Sequence, residues 1–143
     1  MTRELFAVIA NLTLRNCLRL YRHYPSPSRR QSYAASLAAT CAGFVDKFED
    51  MHIALYSQSD SIGIRPWTHF AVDAGIQDTL AFRDCLSSEA SDNWVVRDTV
   101  AAFKLGVTGT PTFLINDLLV RGFYGDAVMN ELISAALAGT QNE

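Results

Sequence analysis

The stretch Gly106-Val107-Thr108-Gly109-Thr110-Pro111-Thr112-Phe113-Leu114-Ile115-Asn116 constrains the fold more than any other part of the chain. It stops a helix, turns sharply and enters a strand within eleven residues. Gly106 and Gly109 allow backbone angles that other residues resist. Thr112 to Ile115 have the β-branched and apolar character of an inner strand. A proline at the mouth of a strand removes one backbone donor and fixes the local geometry. The backbone of Thr110 is thereby placed to meet something other than its own sheet. On these residues alone the stretch is a helix-to-strand connection, and its Thr110–Pro111 bond is trans, since only about 5–6% of such bonds are cis.

A hairpin and a helix come after it. Asn116-Asp117 between Thr112–Ile115 and Leu118–Val120 is a two-residue hairpin signal. Gly122 and Gly125 lead to an amphipathic helix carrying Val128, Leu132, Ile133 and Leu137, and Gln141 to Glu143 reads as a frayed tail. The middle of the chain is helical. Tyr33, Leu37, Cys41, Phe44 and Phe48 form a stripe at helical spacing, and Met51, Ala54 and Leu55 continue as a second short helix. Ser57 to Gly63 is a polar loop. Pro66-Trp67 opens a helix ending near Gly75, Asp78 to Leu86 forms another, and a longer one runs from about Ser91 with Val96, Val100 and Phe103 as its inner stripe. At the start, Thr2 to Asn16 predicts a helix with Leu5, Ile9 and Leu12 on one face. Leu18 to Tyr24 predicts a strand, Leu18, Leu20 and Arg22 alternating against Arg19, Tyr21 and His23, closed by Pro25-Ser26-Pro27-Ser28.

At 143 residues with 49% hydrophobic and 19% charged residues, the chain suits one domain with a real core. Its formal net charge of −3 gives no reason to expect nucleic acid, and the short cluster Arg29-Arg30 with Arg22 upstream suits a solvated helix start. No apolar run is long enough to span a bilayer, so no membrane insertion is expected. The start lacks the architecture of a secretory signal, which predicts a cytoplasmic chain as written. Cys17, Cys41 and Cys85 are far apart with no Cys-x-x-Cys, and His23, His52 and His69 are scattered as surface or core-edge residues. No metal site and no cofactor are expected.

A helical cluster between a strand and a terminal β-β-α unit, with Gly-Val-Thr-Gly-Thr-Pro-Thr-Phe entering the hairpin, resembles the DsbA-like branch of the thioredoxin superfamily. Leu20-Tyr21-Arg22-His23-Tyr24-Pro25 is similar to that family's second core strand. Phe48-Glu49-Asp50-Met51-His52 with Ala54-Leu55 resembles its first inserted helices, and Phe82-Arg83-Asp84-Cys85-Leu86 the short helix before the long return helix. The resemblance runs from about Leu18 to Leu137. It implies an α/β, thioredoxin-like fold with an all-helical insertion: one domain, with residues 1–27 and 104–140 as the core and 28–103 as the insertion. It implies a cis bond at Pro111, and that Gly109, Thr110 and Pro111 bind an extended or unfolded cysteine-containing polypeptide by a form of strand addition.

The resemblance also implies a Cys-x-x-Cys at the start of the first helix, after a central strand. Read as written, the chain begins where the second of those cysteines would lie, so a truncated core without the redox pair is the expectation. Exchange needs a low-pKa thiolate and a resolving cysteine. Cys17 at the start of a strand and Cys41 on an apolar stripe offer neither, and no catalytic residue is assigned. Loss of a central strand exposes two sheet edges, to be repaired by closing up, by pairing with a second copy as a homodimer, or not at all. Cys41 and Cys85 read as two reduced core thiols in a cytosolic chain. The alternative is a structural disulfide between two inserted helices, as the resemblance allows.

The functional expectation is a relative of protein thiol-disulfide oxidoreductases, redox-inactive as written, or a non-catalytic peptide-binding module. A glutathione-using relative of the kappa-transferase kind is a third reading. A start lying further upstream would point to the periplasm instead.

Overall fold

The computed structural model describes residues 20–139. Five helices come first: α1 (Ser32–Gly43), α2 (Phe48–Ser57), α3 (Trp67–Asp73), α4 (Thr79–Leu86) and α5 (Glu89–Lys104). Strands β1 (Thr112–Ile115) and β2 (Leu118–Arg121) and helix α6 (Asp126–Gly139) complete the order. The expected helix at Thr2 to Asn16, Cys17 and the tail at Gln141 to Glu143 lie outside the described residues.

Helix α1 is the hub. Ala35, Ala38, Ala39 and Ala42 are wholly excluded from solvent. Their small side chains let neighbours approach closely, and α1 touches α2, α3, α4 and α5. This corrects the predicted stripe. Tyr33 and Phe44 are exposed, whereas Cys41 alone among the five is buried. A helix surrounded on several sides needs small residues at its contacts, and an apolar stripe of large ones cannot mark its inner face. The core around it gathers Met51 and Leu55 of α2, Phe70 of α3 and Phe82 of α4. Full burial of a side chain such as Phe70 stabilises by about 2–3 kcal/mol.

The helix boundaries follow local chemistry. Asp46, in the left-handed region at φ 57°, turns the chain between α1 and α2. Asp78 caps α4 by accepting the Ala81 N–H at 2.9 Å, and Ser88 caps α5 by accepting the Ser91 N–H at 3.3 Å. The polar loop holds a short 3₁₀ turn, Ser59–Ser61. Beyond it Arg65 pairs with Asp73 at 3.0 Å, bonds Gln58, and lies over the Phe70 ring.

Strands β1 and β2 pair antiparallel with Ile115 opposite Leu118, so Asn116-Asp117 forms the two-residue turn, with Asn116 at φ 51°. Helix α6 packs against β1 and buries Met129 and Ile133. The strand predicted at Leu18 to Tyr24 is not present at residues 20–24, and the sheet of the described residues has two strands. The His23 N–H donates to the Asp98 carboxylate at 3.1 Å instead of to a strand neighbour. Leu20 is 68% exposed, while His23 is buried and Tyr21 packs on the core.

Candidate functional site

The loop before β1 is built by the way α5 stops. Leu105 caps the helix, and Gly106 adopts φ 72°, which only glycine takes without strain. The Gly106 N–H donates to the Phe103 carbonyl and the Val107 N–H to the Ala102 carbonyl, both at 3.0 Å. This pair of bonds is the Schellman arrangement. It closes the helix and releases the chain sideways toward the strand.

Three further bonds shape the turn into the strand. The Thr112 hydroxyl donates to the Gly109 carbonyl at 2.7 Å, folding the Gly109-Thr110-Pro111 turn onto the head of β1. The Gly122 N–H donates to the Pro111 carbonyl at 2.8 Å, which carries the pairing of the hairpin one step past Thr112. The Arg121 guanidinium donates to the Gly106 carbonyl at 3.2 Å, tying the far end of the loop to β2. The Thr110–Pro111 peptide bond is cis. Thr108 and Gly109 are exposed, and Thr110 and Pro111 half-buried. The sequence places Gly109, Thr110 and Pro111 together. It does not reveal that Arg121 at the end of β2 and Gly122 just after it hold their loop at both ends.

The two insertion cysteines are bonded to each other. Cys41 on α1 and Cys85 on α4 form a disulfide with Cα atoms 5.9 Å apart. The expectation of two reduced thiols is therefore corrected. Packing of α4 on α1 brings the two Cα atoms within bridging range, which their separation of 44 residues could not reveal. Among the described residues, no three His, Cys, Asp or Glu side chains lie close enough together to hold a metal ion.

A second cluster of titratable and aromatic side chains sits inside the fold. Tyr21, His23, Phe48 and His52 make mutual ring contacts, with centroids 4.9–6.3 Å apart, and Tyr56 joins through His52. Thr40 gives its hydroxyl proton to the Ser36 carbonyl, so its oxygen accepts from His23 Nε2 at 3.0 Å. Burial pushes both histidines down to about 4, opposed at His23 by Asp98 and reinforced at His52 by His23. Burial likewise pushes the Tyr21 phenol up. These are neutral, packed rings. They sit deeper than the surface or core edge that the sequence suggests, and their lack of charge explains how.

Asp98 completes this region. One carboxylate oxygen takes Arg22 at 2.7 Å and the other the His23 N–H. Helix α5 therefore turns Ser91, Val95, Asp98 and Ala102 inward. Val96, Val100 and Phe103, the predicted inner stripe, are 44%, 46% and 76% exposed. The inner face of α5 is partly polar because its polar groups have partners: Ser91 donates to the Cys85 carbonyl at 2.7 Å, and Asp98 takes an arginine and a backbone N–H. An apolar periodicity cannot identify such a face.

A thioredoxin family model matches residues 16–135. The chain belongs to the thioredoxin family. A search of curated proteins finds no match to it. This thioredoxin-family chain thus has a thioredoxin-like domain in which the helices from α1 to α5 are inserted ahead of the terminal β1-β2-α6 unit, and at a coarse level its relationship is to thiol-disulfide oxidoreductases.

Proposed function

We propose that this chain is a DsbA-like member of the family whose Gly109-Thr110-Pro111 loop receives an extended, cysteine-containing polypeptide, and that these 143 residues do not themselves exchange disulfides. The observation that carries the reading is the loop itself. It lies at the head of β1, is held by Gly122 and Arg121 of the hairpin, and is half open to solvent. Among the described residues β1 has β2 as its one strand neighbour, which suits addition of a peptide as a further strand.

Redox inactivity is supported by the thiols. The sequence holds no Cys-x-x-Cys, and Cys41 and Cys85 are joined within the helical layer. A bonded, mostly buried pair supplies no attacking thiolate. The same disulfide supports an oxidising compartment such as the periplasm over the cytoplasm.

The test is fluorescence anisotropy of a labelled unfolded peptide containing one cysteine, run beside insulin reduction. Binding should persist in Cys17→Ser, weaken at least about tenfold in Pro111→Ala, and be accompanied by no insulin reduction above the dithiothreitol background. Equal binding by Pro111→Ala would remove the loop from the reading. Accelerated insulin reduction would overturn the inactivity.

A further inference from the structure

Helix α5 carries an apolar stripe on its outer face. Val96, Val100 and Phe103 follow one another at four and three residues, so they share one side of the helix, and all three are exposed. Phe103, 76% exposed, projects from the C-terminal end of the stripe. At the other end the stripe borders a groove of about 520 Å³, whose walls include Pro25, Tyr33, Val96, Thr99 and Val100. We propose that a second copy of this chain covers this face. Two α5 helices pack antiparallel about a two-fold axis, and Phe103 of each enters the groove beside Val96 of the other.

The spacing selects this occupant. A two-fold contact needs a patch that fits itself, so that where residue i meets residue j, residue j also meets residue i. Val96 at the groove and the projecting Phe103 ring stand about two turns apart on one side of α5. An axis crossing the helix midway between them, beside Thr99 and Val100, sets each Phe103 over Val96 of the other copy. The two Val100 side chains then meet at the centre. The groove accepts such a ring without new hydrogen bonds. Ser32 already donates its hydroxyl to the Ser26 and Arg29 carbonyls, and Thr99 donates to the Val95 carbonyl. Phe103 is neutral, so neither the arginines at 29 and 30 nor the charged Asp92 beside Tyr33 opposes its entry. Arg97 lies over the Trp94 ring at 3.7 Å and does not interrupt the stripe.

The area suits a small, reversible dimer. An aromatic side chain buries roughly 200 Å², so Phe103 at 76% exposure has about 150 Å² to lose. Two such rings and the equal areas of wall they cover remove roughly 600 Å² from water, and contacts at Val100 and the rim add to it. Specific interfaces below about 1,200 Å² are weak ones, and the expected dissociation constant is about 10–100 μM. The pairing uses no residue of the Gly109-Thr110-Pro111 loop, so it stands or falls apart from the peptide reading.

The experiment is sedimentation velocity of the full chain from about 5 to 500 μM. All samples carry Cys17→Ser, which removes disulfides between copies through that residue. The parent should pass from monomer to dimer across this range. Phe103→Asp and Val96→Lys should each weaken the dimer at least about tenfold, because each sets a charge against an apolar surface. Mixing the two variants should restore dimer. In the mixed pair the new aspartate faces the new lysine, and the second contact keeps Phe103 on Val96. A monomer throughout, a dimer that both variants retain, or a mixture no better than the separate variants would each overturn the inference. Methyl NMR of the unaltered chain on dilution decides the matter even if a variant fails to fold. The Val96 and Val100 methyls should shift with concentration, and shifts confined to other residues would overturn the pairing.

Discussion

The Asp98 carboxylate accepts the backbone N–H of His23 at 3.1 Å, joining residues 75 positions apart. It attaches the extended segment at residues 20–24 to the middle of α5. Its other oxygen takes Arg22, so a single buried carboxylate serves a half-exposed guanidinium and a buried backbone donor. A buried carboxylate is stable only when such partners replace its water.

Asp98→Ala should therefore destabilise the chain by about 2–3 kcal/mol, because it leaves the His23 N–H and the Arg22 guanidinium without that partner. Asp98→Asn keeps an acceptor for one of them and should cost less. Urea denaturation of the two variants beside the wild type checks the order. Equal midpoints for all three would show that the segment is held by its aromatic contacts alone.

Stability should fall as the solution is acidified from about pH 6.5 toward 4. Burial holds His23 near 4 in the folded chain against 6.5 when exposed. Between those values the unfolded chain binds the extra proton and the folded chain does not. The contribution is thus complete above about pH 6.5 and lost as pH falls through the folded value. One histidine shifted this far accounts for about 3 kcal/mol, and His52 acts in the same direction. Thermal melts across this range should show the decline in the wild type and a shallower one in His23→Gln.

Removing the disulfide should cost about 2–4 kcal/mol, since it closes a separation of 44 residues and its loss frees the unfolded chain. Cys41→Ala with Cys85→Ala, compared with the unreduced wild type by denaturant unfolding, measures this. Mass spectrometry of unreduced, alkylated protein should find only Cys17 labelled, and labelling of all three would remove the bond.

Arg121→Ala should weaken peptide binding several-fold with little change in overall stability. Its bond to the Gly106 carbonyl is exposed and worth about 1 kcal/mol or less, yet it fixes the end of the loop that leads to Thr110. Anisotropy titration and a melt on the same sample separate the two effects. A loss of binding that simply tracks a loss of stability would count against a positioning role.

The elements with local signals are legible in the sequence. Asp78 before α4, Pro66 before α3, Gly106 after α5 and Asn116-Asp117 between the strands each act through their own backbone angles or side-chain reach, and each stands at the boundary that its residue type predicts. The faces of the helices are not legible in this way. In α1 the alanines rather than Tyr33 face inward, and in α5 Asp98 faces inward while Val96 stands outside. Periodicity reports which residues share a side. It cannot report which side meets neighbours when a helix has small residues on one face and larger apolar residues on another.

By itself, the sequence determined the order of helices, the hairpin and the composition of the Gly109-Thr110-Pro111 loop, because turns, caps and strand starts depend on residues a few positions apart. Only the tertiary structure decided that Cys41 meets Cys85, that Asp98 receives residue 23, that residues 20–24 stay outside the sheet, and that Arg121 and Gly122 hold the loop. These contacts join residues separated by eleven to 75 positions. Their partners are chosen by how the helices pack around α1 and how the hairpin folds back, and no local pattern encodes that choice.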